Sequence, residues 1–185
     1  MNTIKLSENV RVSDPCYTDD VWCKTQLKGV LPGTYKVYIE KGDEHGWGMR
    51  VKSLKVIHEN YIDNGMWEEH SEIGVDSGQA GIFCETSYRN DTIAESIVTP
   101  PTRFDIGGHN EGDVWYEKMC NFTLSDDQYG VYETGVVTSS GIGDGGYPLD
   151  VLKDKNGNIV GMRITYLFDE DEYEEEEEYE EEEEN

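Results

Sequence analysis

Asp144 stands inside SSGIGDGGYPLDV, residues 139–151, where four glycines fall within six residues. A glycine-rich loop around one carboxylate has three uses. Its amides can cradle phosphate, its carboxylate can hold a metal, or its glycines can simply turn the chain. A phosphate loop needs Lys and Ser or Thr directly after the glycines, opening a helix. Here Gly146 is followed by YPLDVL, and Pro148 with the β-like run behind it argues against a helix N-terminus. A dinucleotide fingerprint fails on spacing and on the lack of a βαβ unit. The economical reading is a tight turn with positive φ at several positions. The alternative is a ligand-facing loop, with Asp144 accepting and glycine amides donating.

Three other stretches carry chemistry-bearing residues. In DKNGNIVG (154–161), an EF-hand alignment starting at Asp154 puts the glycine at position four rather than six, with no Glu at twelve. A hairpin explains it better. SDPCYTDDVWC (13–23) concentrates Asp14, Cys16, Asp19, Asp20 and Cys23. Cys-x6-Cys is not a usual zinc spacing, so an Asp-Pro turn with partly buried thiols is preferred to a zinc site completed by distant Cys84, Cys120 or a histidine. Cys16 as a nucleophile would need a base, and His45, His58, His70 and His109 are all far off in sequence. In GVDSGQAGIF (74–83), Asp76-Ser77-Gly78 is a turn sequence, Ser77 is not in a nucleophile elbow, and Gln79 offers both donors and acceptors. No cofactor and no metal is assigned.

The elements that must position these residues read mostly as strand. GTYKVYIEKG (33–42) alternates Tyr35, Val37 and Ile39 against Lys36, Tyr38 and Glu40. GMRVKSLKVIHENY follows, its alternation breaking between Val51 and Leu54, which predicts a bulge near Ser53. These runs form a hairpin joined by residues 41–48. Asn156-Gly157 between two apolar runs predicts a second hairpin, with Met162, Ile164, Tyr166 and Phe168 on one face. GDVWYEKMCNFTL (112–124) is the best helix, Asp113 its candidate cap and Trp115, Met119 and Phe122 its apolar stripe. DDVWCKTQL (20–28) is a weaker one. Residues 86–111 read as a long irregular loop with one helical turn. Tyr17, Trp22, Trp47, Trp67, Trp115 and Tyr147 sit near turns; they complete a core short of aliphatics or line a pocket.

Composition bounds the partners. Of 185 residues 40 are acidic and 15 basic, a formal charge of −25. Residues 169–185, DEDEYEEEEEYEEEEEN, hold 14 acidic and no basic groups, and residues 1–168 still carry −11. Such a run repels itself and buries nothing, so it is expected to be disordered. Nucleic acid and anionic membranes are disfavoured partners, because both recruit Lys and Arg. The start of the chain lacks a signal-peptide core, and no apolar run approaches the ~20 residues of a membrane span. Four cysteines then read as reduced thiols in a cytoplasmic protein. The expected architecture is mainly β, a β-rich α+β antiparallel domain over 1–168 with one or two short helices and an acidic tail.

SDPCY, DSGQAG and GDGGYP, in that order, resemble a family of bacterial and bacteriophage proteins classed as a domain of unknown function. The resemblance covers most of residues 10–168. It implies a cytoplasmic, β-rich domain with a phage origin open, and carries over no catalytic residue. If the DSGQAG and GDGGYP strands are neighbours, their turns converge. Asp76, Gln79, Asp144 and Tyr147 would then share a pocket, with Asp14 near it. Three functional readings follow: a protein that binds a small ligand or a protein partner through these loops, an acidic decoy for a basic protein, and a hydrolase using Asp76 or Asp144 with a metal.

Overall fold

The computed structural model describes residues 2–18, 21, 25–101, 105 and 110–168. The acidic run 169–185 lies outside these, as do Asp19, Asp20, Trp22, Cys23 and His109. The chain is mainly β. In order it forms β1 (Thr3–Leu6), β2 (Asn9–Ser13), β3 (Thr25–Lys28), β4 (Gly33–Asp43), β5 (Met49–His58), β6 (Glu68–Val75) and β7 (Gln79–Cys84). Then come α1 (Asp91–Ala94), α2 (Asp113–Thr123), β8 (Tyr129–Tyr132), β9 (Gly135–Ser139), β10 (Gly145–Lys153) and β11 (Ile159–Thr165). They make two antiparallel sheets, six strands in the order β1-β4-β5-β11-β10-β6 and five in the order β3-β2-β7-β9-β8.

Both hairpins form where the pattern places them. β4 pairs with β5, and Glu40↔Ser53 is followed by Lys41↔Val51. Lys52 is therefore the extra residue, and the bulge lies beside Ser53. Freed from the β4 ladder, the Lys52 carbonyl accepts the N–H groups of Tyr166 (2.8 Å) and Leu167 (3.1 Å). β10 and β11 pair across Asn156-Gly157, and Asp154 closes that turn by accepting the Asn156 and Asn158 N–H groups at 2.8 and 2.9 Å. These bonds, led by that from the Asn158 side chain, hold the Asp154 carboxyl down at about 2.

Residues 20–28 do not form the weaker helix: 25–28 are β3, drawn into the sheet by pairing with β2. Local helix preference loses there to the ladder hydrogen bonds of a neighbour.

Inward-facing side chains of the sheets meet in one apolar core. Val10, Val12, Ala80, Ile82 and Val136 come from the five-stranded sheet, and Leu54, Val56, Leu149, Val151, Met162 and Ile164 from the six-stranded one. The far side of the five-stranded sheet is covered too. Phe83 and Val137 point there, beneath Trp115, Met119 and Phe122 of α2 and Ala94 of α1. Hence β7 is buried at every residue. Its continuous apolar run is that of a strand covered on both faces.

α2 starts differently from the expectation. Its N-cap is Gly112, and its first amides are met from another element: Asp91 of α1 accepts the N–H groups of Gly112 (2.8 Å) and Trp115 (2.9 Å). Asp113 instead accepts the Asn110 N–H (2.8 Å). The closest approach of helix to sheet is at Gly130 of β8, where an added Cβ would lie 1.9 Å from Phe122 Cγ. Gly130→Ala must push that buried ring aside. An expected cost of about 2–4 kcal/mol follows from overpacking, read as a lower urea midpoint at unchanged slope. A midpoint like wild type would show that the ring is free to move.

Candidate functional site: two sheet crossings joined by Asp14

The chain passes between the sheets at two places that lie side by side. Turn 76–78 carries it from β6 to β7, and residues 140–144 carry it back from β9 to β10. The two crossings bond each other. The Gly78 N–H donates to Asp144 Oδ1 (2.8 Å), and the Ser140 N–H donates to the Gly78 carbonyl (3.0 Å). The return crossing needs positive φ at Gly141 (56°) and Gly143 (139°), a backbone that residues with a Cβ rarely adopt. Its glycines therefore build a corner.

Asp14 is the third component. It follows β2 and is completely buried. Oδ2 accepts the N–H groups of Asp76 (2.9 Å) and Ser77 (2.7 Å), while Oδ1 accepts the Cys16 N–H (2.8 Å) and the Ser77 hydroxyl (2.6 Å). One carboxylate thus meets four donors and holds the SDPC turn against the DSG turn. The Tyr88 hydroxyl ties the same segment down from the far side, donating to the carbonyls of Asp14 (2.9 Å) and Tyr17 (2.8 Å).

The five residues singled out by sequence come together in two groups. Asp76 and Asp144 are exposed at the rim. Asp14, Gln79 and Tyr147 are buried and turned inward. Gln79 donates to Cys120 Sγ (3.3 Å) and accepts from the Thr123 hydroxyl (3.1 Å), both on α2. The Tyr147 hydroxyl donates to the carbonyls of Gly143 (2.7 Å) and Ser140 (3.2 Å), fastening the return crossing. These three hold the site in shape, and what faces outward is Asp76, Asp144 and the edges of the turns.

Sequence reasoning missed the α2 side of the site. Cys16, Ser77, Tyr116 and Cys120 lie against one another between the SDPC turn, the DSG turn and the helix. Burial first, and the Asp14 charge second, push the Cys16 thiol up to about 12. Burial also raises Cys120 and Tyr116, each eased by hydrogen bonding, from Gln79 and Ser77 respectively. Both thiols are thus protonated at neutral pH, so this cluster donates hydrogen bonds and holds no resting thiolate. Arg89 closes its edge. The guanidinium donates to the Pro15 carbonyl (3.2 Å) and pairs with Asp113 (3.4 Å), from a backbone at φ 51°. A non-glycine residue at positive φ was the one local sign of strain here, and nothing in the sequence around Arg89 announces it.

Among the described residues no group of three His, Cys, Asp or Glu side chains stands in an arrangement that could hold a metal ion. No helix among them is long and apolar enough to cross a membrane. Comparisons of the chain with protein-family models, curated proteins and solved structures found no match.

Proposed function

We propose that the protein is a cytoplasmic binding protein that takes a small, donor-rich ligand at the rim of the two sheet crossings. The observation that carries this reading is the pair of exposed carboxylates, Asp76 and Asp144, held on crossings that bond each other at 2.8 Å. Rigid support of outward polar groups by buried partners is how a site is preorganised. Two carboxylates suit amines, guanidines or sugar hydroxyls. The protonated cluster of Cys16, Ser77 and Tyr116 favours binding over nucleophilic chemistry.

The test is amide-detected NMR of the full chain against a panel of small amines, guanidines and sugars. Shifts confined to residues 14–18, 76–79, 116–120 and 141–146 are expected. They should vanish in the double variant Asp76→Asn/Asp144→Asn, whose side-chain amide oxygen at position 144 still accepts from the Gly78 N–H. No shifts, or shifts elsewhere, would end this reading.

Charge favours a second reading, in which the protein engages a basic protein surface. Its support is the 14 carboxylates within residues 169–185 and the acidic body before them. If phage-encoded, as the motif resemblance implies, either function would be exercised in the host cytoplasm.

A further inference from the structure

One end of the sandwich presents large apolar side chains to solvent. Trp47 (60% exposed) and Met49 follow the β4–β5 connection, Leu124 (64%) caps α2, Ile142 is in the return crossing, and Phe168 follows β11. These are far apart in sequence and joined by bonds. The Gln128 side chain donates to the Met49 carbonyl (2.9 Å), and the Ser139 N–H donates to the Gln128 carbonyl (2.8 Å). Lys41 donates to the Asp127 carbonyl, and Leu167, beside Phe168, packs 3.1 Å from where a Cβ on Gly141 would stand. Exposed carboxylates Asp43, Asp126, Asp127 and Asp144 surround the apolar group. The acidic run starts at Asp169, directly after Phe168.

Clustered exposed apolar groups mark an interaction surface. Charge decides its occupant. A second copy would bring another acidic rim and another 14-carboxylate run to the same place, and like charges oppose that contact. An anionic bilayer is repelled for the same reason. A helix with one apolar face and Lys or Arg around it satisfies both halves of the surface. We propose that this end of the sandwich docks a cationic amphipathic helix of a partner protein. The apolar side chains take its apolar face, while the rim and residues 169–185 take its cations. This deepens the second functional reading and rests on it.

The probes are two 18-residue Leu/Lys peptides of equal composition, one amphipathic as a helix and one with its order scrambled. Both are titrated calorimetrically into the full chain at physiological salt. The amphipathic peptide is expected to bind at least tenfold tighter. Trp47→Ser/Leu124→Ser removes only exposed side chains, so its unfolding midpoint should match wild type, and it should erase the tenfold preference while leaving the scrambled peptide's affinity unchanged. A double variant that keeps the preference overturns the proposal. Equal, steeply salt-dependent binding of both peptides also overturns it but leaves the decoy reading standing. No binding of either ends both. Self-association of the free protein that the double variant abolishes would assign the surface to a second copy instead.

Discussion

Asp14→Ala is expected to lower the unfolding free energy by about 3–5 kcal/mol, since it strands buried donors that each cost roughly 1–3 kcal/mol when unmet. Those donors are the N–H groups of Cys16, Asp76 and Ser77. The estimate stays below their full sum because Asp76 is exposed and water can reach its turn. Ser77→Ala is the informative control. It removes the shortest of the four bonds, the 2.6 Å hydroxyl contact, yet leaves the three backbone donors satisfied. Its cost should be about 1 kcal/mol, the net worth of an ordinary hydrogen bond. Asp14→Asn should fall between, because one side-chain oxygen still accepts while the amide nitrogen faces donors. Urea unfolding measures all three, with the slope as a check that only stability changed. If Asp14→Ala and Ser77→Ala cost the same, the carboxylate is not what joins the two turns. A second readout follows from the Cys16 thiol, which the Asp14 charge helps keep protonated. Asp14→Asn should speed its alkylation at pH 8 relative to wild type.

Trp115→Ala carries the other large effect. Trp115 is completely buried between α2 and the outer face of the five-stranded sheet. Its ring meets Phe83 edge-on and Tyr88 at a tilt, each with centroids 5.1 Å apart, and its Nε1–H donates to the Tyr132 hydroxyl (3.3 Å). Deleting a buried tryptophan of this kind costs about 3–5 kcal/mol. α2 should loosen first, because this cluster is its main hold on the sheet. Hydrogen exchange should then show α2 amides losing protection more than those of β10 and β11. Trp115→Phe, which keeps most of the apolar area and loses the hydrogen bond, should cost about half as much. Uniform loss of protection across both sheets would show that α2 is not a separable layer. Loosening α2 also withdraws Tyr116 and Cys120 from the site, so ligand-induced shifts should weaken in Trp115→Ala and survive in Trp115→Phe.

Local chemistry was legible wherever it acts over a few residues. Alternation marked β4, the broken alternation marked the bulge at Lys52, and Asn156-Gly157 marked the last hairpin. Trp115, Met119 and Phe122 marked the buried stripe of α2. The rest depends on partners distant in sequence. β3 is a strand because β2 lies beside it, and α2 is capped by Asp91, 21 residues before Gly112. Nothing in DSGQAG reveals that its turn changes sheets, since a hairpin turn and a sheet crossing use the same residues. The roles of Asp14, Gln79 and Tyr147 were hidden for the same reason. A polar side chain looks alike in sequence whether it faces a ligand or a buried amide.

SSGIGDGGYPLDV shows where the division falls. By its own residues it excludes a phosphate loop and a dinucleotide site, because Pro148 and the strand behind it leave no helix for an anion to cap. That is local sterics, and the sequence determined it alone. Only the tertiary structure made the loop a crossing between sheets and aimed Asp144 at the Gly78 amide 66 residues away. The same packing turned Asp14 from a candidate ligand contact into the buried acceptor that holds two turns together. Burial and long-range pairing decide which donors an acceptor meets, and neither is a property of a short stretch of chain.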